Sequence, residues 1–363
     1  MANLISIATS VPEYKHPQSE IFQFMQQAYQ LDDTEKRKLS FLYKKSGIDN
    51  RYSVIQDFNM DAIRKSNTSP WFKKDLLIDA RMKLYQEEAL PLSMNGINDC
   101  LDGINDPNVI THLITVSCTG MSAPGLDLAI MEQMKLNPSI FRTSVNFMGC
   151  YAAIHALKIG KMICDTDKNA VVLIVATELC TLHFQQTYSE DNAASSLLFG
   201  DGCAALLLSD DEKYLPLASI DGFSSTVVLK GKKDMSWELS KNGFLMTLSG
   251  YVPALIKEDI SVFVYEALKK IGVNISEIGH WCIHPGGKKI LDNIEQKLEL
   301  DKNALLESRK ILKNYGNMSS PTILFVLKEI IENAKNKPDA GNKIFGVSFG
   351  PGLTMETFIG SLK

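Results

Sequence analysis

From residue 109 onward the chain alternates short β-rich runs with helical ones, and the order then repeats. VITHLITVSC, TSVNFMG, AVVLIVATE and CAALLLS read as strands, with PGLDLAIMEQMKL and YAAIHALKIGKMI as the helices between them. In the second half EIGHWCIH is strand-like, GGKKILDNIEQKLEL helical, YGN a tight turn, SSPTILFVLKEIIENA helical, and KIFGVSFG and LTMETFIG are strands. Cys118 and His284, which end the first strand of each series, are 166 positions apart; Cys150 and Asn317, at turns leading into helices, are 167 apart. Two landmarks at nearly one offset predict a duplicated topology with a period far beyond the ~20–50 residues of a solenoid unit. Strands alternating with helices imply a layered α/β architecture with largely buried strands. No Pro-, Gly- or Ser-rich linker separates the halves, 1–212 and 213–363, so they are expected to pack as one body.

Residues 18–100 read differently. SEIFQFMQQAYQL and WFKKDLLIDARMKLYQEEALPLSMNGINDCL repeat apolar positions at helical spacing, with YKKSGIDNRYSVI between them as a Gly-containing cationic loop. A formal net charge of −4 leaves no excess of Lys or Arg to neutralise a run of phosphates, so no nucleic-acid partner is expected. The N-terminus MANLISIATSVP lacks the charged segment and long apolar run of a secretory signal, and no stretch has the length of a membrane span. The seven cysteines are odd in number, scattered, and never in the paired short spacings of a zinc site. They are expected to be reduced thiols of a cytoplasmic protein, without a metal.

Three residues stand apart as candidates for chemistry. Cys150 opens a helix, where exposed backbone N–H groups and the positive end of the dipole favour a thiolate, although a lone Cys is more often a core residue. His284 ends a strand in CIHPGGKK and can project into a cleft, whereas His155 and His183 read as packed or lining residues and His16, His112 and His280 as surface or strand positions. Asn317 in NYGNMSSP reads either as a turn or cap residue or as a hydrogen-bond donor to a developing oxyanion. If the halves pack about a pseudo-twofold axis, the three can converge.

GCYAAIHALKIGK, CIHPGGKKILDNIEQKLEL, YGNMSS and GVSFGPGLTMETF, in that order and with LFGDGCAALLL between Cys and His, resemble the thiolase superfamily, specifically the chalcone-synthase-like type III polyketide synthases. The resemblance runs from KSGIDNRY to the last strand. It implies a five-layered α-β-α-β-α fold, a homodimer, and a catalytic triad at Cys150, His284 and Asn317. It further implies an acyl-CoA starter held as a Cys150 thioester, malonyl-CoA as extender, and no metal or redox cofactor. Phe199 matches a gatekeeping Phe, Ser319 a cavity-adjacent Ser, and Gly350, Pro351 and Gly352 the loop that shapes the cavity. Lys45 and Arg51 match a cationic stretch associated with CoA phosphates. The sequence departs from plant members at Met246, where they carry a second gatekeeping Phe, at Ala123, where they insert a Met into the partner's cavity, and at Cys118 and His183, where they commonly have Thr. These departures point away from a flavonoid-forming cavity and toward pyrone, resorcinol or acylphenol products.

Other readings share some of these residues. An initiating ketoacyl-carrier-protein synthase has the same implied fold and triad but usually carries HQAN-like residues at the histidine. A hydroxymethylglutaryl-CoA synthase-like enzyme needs a Glu general base, for which Glu178 is the nearby candidate. A catalytically dead partner protein of the same fold would not need all three triad residues, and a papain-like protease would place its Cys near the mature N-terminus.

Overall fold

The two strand–helix series become the two halves of one nine-stranded mixed sheet. The structure, a computed structural model, describes residues 2–56, 76–104, 106–334 and 341–363. In chain order the elements are β1 (Asn3–Ser10), β2 (Tyr14–Pro17), α1 (Gln18–Ala28), α2 (Asp33–Lys45), β3 (Asn50–Ser53), α3 (Ile78–Cys100), β4 (His112–Ser117), α4 (Leu126–Met134), β5 (Phe141–Asn146), α5 (Ala152–Thr166), β6 (Val171–Leu179), α6 (Glu190–Leu198) and β7 (Asp201–Ser209). The second half continues with β8 (Ala218–Val227), β9 (Met235–Ser240), β10 (Gly243–Leu248), α7 (Val252–Lys270), β11 (Ile278–Ile283), α8 (Lys288–Lys297), α9 (Leu306–Tyr315), α10 (Thr322–Asn333), β12 (Lys343–Gly350) and β13 (Thr354–Leu362).

The duplication is visible in the hydrogen bonding. In the first half β1 pairs antiparallel with β7, β7 antiparallel with β6, and β6 parallel with β4. The second half repeats this with β8, β13, β12 and β11. The halves join through a short antiparallel contact, Asn3 with Ser219 and Leu4 with Ala218, and β5 closes the first half's free edge beside β4.

Three apolar clusters show five layers. Ile114, Val116, Ile174 and Leu206 face the centre, while their strand neighbours Leu113, Val175 and Leu207 face the outer helices α1 to α4. The other half turns Cys282, Ile344 and Phe358 to the centre, and Ile283, Phe345 and Ile359 to α7 and α8. The central layer holds α5 and α10: Ala152, Ala156 and Leu157 of one helix and Ile323, Leu327 and Ile330 of the other belong to one cluster with both sheet halves. Small residues let α5 lie close; a Cβ on Gly160 would stand 2.7 Å from Leu208. All nine residues of β6 are buried, as the run VVLIVATEL requires of a strand covered on both faces, and each such apolar side chain contributes about 1.5–3 kcal/mol.

Three expectations change. The loop YKKSGIDNRYSVI continues α2 through Lys45 and then forms β3, which pairs with β2. Asn317 is not at a helix start: α10 begins at Thr322, and Asn317 pairs instead with Phe199 in an isolated bridge. The helix expected from residue 71 starts at Ile78; positions 71–75 lie outside the described residues. No described helix is long and apolar enough to cross a membrane.

Candidate active site

The turn between β5 and α5 presents Cys150. Gly149 takes φ +82°, and a Cβ there would stand 2.2 Å from Pro351, so this glycine both turns the chain and admits the Gly350–Gly352 loop. The backbone is held from both sides: Gly149 N–H donates to the Cys118 sulfur at 3.0 Å, and Ser348 Oγ donates to the Cys150 carbonyl at 3.1 Å. His284 follows β11 directly, its N–H bound to the Val347 carbonyl at 2.9 Å. Asn317 is aligned by its bridge, with its N–H donating to the Leu198 carbonyl at 2.8 Å and its carbonyl accepting from Gly200 N–H at 2.9 Å. Cys150, His284 and Asn317 line one cavity, together with Cys118, Phe199, Met246 and Ser319.

Burial governs the charges. Cys150 is only 7% exposed, and burial pushes its thiol up to about 12, against hydrogen bonds from Ser319 and Asn317 and reinforced by the charge of Glu178. The expectation that a helix start lowers this pKa is therefore corrected: loss of water on burial outweighs the helix dipole. Burial also pushes the His284 imidazole down to about 3, and neither ring nitrogen has a hydrogen-bond partner. Asn317 Oδ1 accepts Ser319 N–H at 2.8 Å and faces the Cys150 sulfur at 4.0 Å, which leaves Nδ2 as the end of the amide free to donate. Buried polar atoms without partners mark where a ligand's own polar atoms belong.

The chalcone and stilbene synthase N-terminal domain model matches residues 1–212 and the C-terminal domain model residues 221–362. The chain belongs to the chalcone and stilbene synthase family. The α-pyrone synthesis polyketide synthase-like Pks18 of Mycobacterium tuberculosis is 30% identical over 98% of this chain and 90% of its own length. Type III polyketide synthase A of Arabidopsis thaliana is 28% identical over 98% of this chain and 91% of its own. The crystal structure of PKS-I from the brown alga Ectocarpus siliculosus superposes with a TM-score of 0.92 at 26% identity, covering 100% of this chain and 98% of that one. The protein is accordingly a type III polyketide synthase, with the thiolase-like fold and the carbon–carbon bond-forming acyltransferase class of that family.

The remaining sequence candidates divide within this synthase. Phe199 packs with Cys150 and Cys180 in a small apolar cluster, against which Met246 rests. Pro351 reaches the cavity, while Gly350 and Gly352 shape the turn on either side of it. His183 lines an adjoining recess instead. Phe244 N–H donates to its Nδ1 at 3.1 Å, so Nε2 carries the proton and donates to the Thr119 carbonyl at 2.8 Å. Both nitrogens are committed, burial pushes the ring down to about 3, and it stacks on Phe244 at 4.3 Å. His183 is thus a neutral clasp in the wall of the recess beside the cavity.

Arg51 requires a larger correction. At 2% exposure it cannot meet a CoA phosphate at the surface; Nε donates to Gln18 Oε1 at 2.9 Å and Nη1 to the Phe199 carbonyl at 2.5 Å. Its side chain continues the buried alternation of β3 and fastens the segment that carries Phe199. Lys45 is exposed beside Lys288 and Lys289 around a groove of about 240 Å³, which adjoins the Cys150 cavity through their shared walls Leu248, Gly286 and Ile290.

Sequence reasoning missed Trp237. Its indole N–H donates to the Cys118 carbonyl at 2.9 Å, it pairs across the β9–β10 hairpin with Met246, and both residues form the wall between the cavity and the His183 recess. The signal was present: alternating runs on either side of Lys241-Asn242 form a hairpin pattern, and the turn falls there, with Gly243 pairing Ser240. Because Arg51 is internal, Arg51→Met should leave KM for CoA thioesters within about twofold while lowering unfolding stability by about 1.5–3 kcal/mol, the scale of a lost charge-assisted hydrogen bond. Steady-state kinetics beside urea unfolding checks this; a large KM change at unaltered stability would restore the phosphate contact.

Proposed function

We propose that this synthase carries an acyl starter on Cys150 and extends it with malonyl-CoA, using His284 and Asn317 to bind the developing negative charge. The observation that carries the reading is the convergence of a thiol, an imidazole with two unpartnered nitrogens and a free amide donor in one buried apolar cavity. Burial disfavours a lone thiolate and a lone imidazolium alike. Passing the thiol proton to His284 makes both charges together, so their attraction in a low dielectric offsets the desolvation each suffers alone.

The thiolate attacks the acyl-CoA carbonyl, and the CoA sulfur leaves with the proton. Malonyl-CoA then places its thioester oxygen on an N–H of His284 and on Asn317 Nδ2. As the carboxylate departs as CO2, the electron pair it leaves becomes an enolate, whose oxygen these donors stabilise. The enolate carbon attacks the Cys150 thioester, the Cys150 sulfur is expelled, and the chain is longer by two carbons. Apolar walls from Phe199, Met246 and Trp237 exclude water that would hydrolyse the acyl-enzyme. Lys45, Lys288 and Lys289 around the adjoining groove are placed to meet the CoA phosphates. The relative named for α-pyrone synthesis supports lactone release, in which an enol oxygen of the chain attacks the thioester and needs no further protein group.

A homodimer completes the proposal. β5 is an edge strand with four of its six residues exposed in succession, and Phe141 is 69% exposed. Such an edge needs a cover. Light scattering should give twice the mass of the chain, and a monomer at assay concentration would refute the dimer.

The activity test incubates the protein with malonyl-CoA and a panel of acyl-CoAs, following CO2 and products by mass. Cys150→Ala should lose the acyl adduct and all condensation, while His284→Ala and Asn317→Ala should lower decarboxylation by about 100-fold or more, the scale of a lost oxyanion donor. His284→Ala should also move Cys150 alkylation by iodoacetamide to higher pH, since burial then opposes the thiolate unaided. No adduct in the wild type would favour a catalytically dead partner protein.

Trp237→Ala should merge the cavity with the recess behind it and shift products toward longer chains at similar total malonyl consumption. An unchanged product distribution would show that this wall does not limit extension.

A further inference from the structure

Glu178, next to last in β6, is fully buried beside the cavity and has no part in the steps above. Its carboxyl group is the meeting point of both halves. Oε2 accepts Cys118 N–H at 2.9 Å and the Thr119 hydroxyl at 2.8 Å; Oε1 accepts the Ser320 hydroxyl at 2.6 Å. A short path leads from each anchor to a reacting group. The Cys118 sulfur accepts Gly149 N–H, one residue before Cys150. Ser320 sits in the turn whose Ser319 N–H holds Asn317 Oδ1, and the Thr322 hydroxyl that accepts Met318 N–H at 2.8 Å closes the same turn.

We propose that Glu178 is a positioning residue that sets the spacing between Cys150 and Asn317 and places a buried carboxyl group next to the turn that carries the thiol. Nothing else among the described hydrogen bonds ties the Cys118 turn to the Ser320 turn through one side chain. The groups that feel its charge are Tyr85 on α3, Cys118 after β4, Cys150 before α5 and Cys180 after β6, each made harder to ionise by it. From the second half, the Ser320 hydroxyl meets it as a neutral donor. Burial pushes the carboxyl up to about 7, opposed by the bonds from Ser320, Cys118 N–H and Thr119, so its charge changes near neutrality. Below that pH Glu178 is neutral and the thiolate is easier to form; above it the carboxylate opposes the thiolate. The two titrations partly cancel, which flattens the response of Cys150 to pH.

Two substitutions separate geometry from charge. Glu178→Gln keeps the reach: its carbonyl can face Cys118 N–H and Thr119, and its amide can donate to the Ser320 oxygen. Glu178→Asp keeps the charge but is one methylene short of spanning both turns. Alkylation of Cys150 by iodoacetamide, followed by mass without any substrate from about pH 6 to about pH 9, should be about threefold or more faster for Glu178→Gln than for wild type at the alkaline end, where only the wild-type carboxylate is charged. Glu178→Asp should lower kcat for malonyl-CoA decarboxylation by about tenfold or more with KM within about twofold, as misplacement of a catalytic group does. Superimposable alkylation profiles for Glu178→Gln and wild type, or wild-type kcat in Glu178→Asp, would overturn the inference. Should Glu178→Asp fail to fold, the isosteric Gln variant carries the test alone. The inference rests on the proposed roles of Cys150 and Asn317; a wild type that never decarboxylates malonyl-CoA would sink those roles, whereas the alkylation profile reads the coupling of Glu178 to Cys150 regardless.

Discussion

The central apolar layer is the constraint on which the rest depends. α5 and α10 each pack on the strands of their own half and on those of the other, α5 reaching β13 and α10 reaching β1 and β7. The buried positions of both helices are almost all apolar or small: Ala152, Ala153, Ala156 and Leu157 in α5, and Ile323, Leu324, Leu327 and Ile330 in α10. Burying both between the sheet halves brings the segments that lead into them to the same place. Cys150 arrives two residues before one helix and Asn317 five residues before the other, and His284 arrives at the end of the strand that α10 covers.

Removal of water at that meeting point sets the chemistry. A thiol and an imidazole that would titrate readily at a surface are both held neutral, and the imidazole has nothing to bind. The pocket is unsatisfied in a directional way: both ring nitrogens of His284 are buried in it without a protein partner. The same dryness gives leverage to Glu178, because a charge in a low dielectric is felt by its neighbours far more strongly than one in water. The site is thus defined as much by what is excluded from it as by the three side chains it contains.

Long-range contacts gave several residues a meaning different from the one their neighbours in sequence suggest. Arg51 belongs to a stretch rich in cations and reads as part of a phosphate site, yet it closes a contact with Phe199 across 148 positions. His183 lines the recess beside the cavity, but what fixes it there is not local: the backbones of Phe244 and Thr119 lock it into one tautomer. Trp237 belongs to a hairpin whose alternation was legible, but its place in the cavity wall depends on the carbonyl of Cys118, 119 positions away.

The sequence by itself determined what local periodicity and spacing can determine. The alternation of strands and helices, the two matched offsets near 166 and the motifs around Cys150, His284 and Asn317 pointed to the family, the duplicated layered fold and the three candidate residues. Only the tertiary structure decided the protonation states, the inward turn of Arg51, the wall at Trp237 and the junction at Glu178, where β6 meets Ser320 across 142 positions. The physical reason is that periodicity is a property of neighbours along the chain. Desolvation and hydrogen-bond partnership are properties of neighbours in space, which come from the opposite half of the molecule for Trp237 and Glu178 and from a distant part of the same half for Arg51.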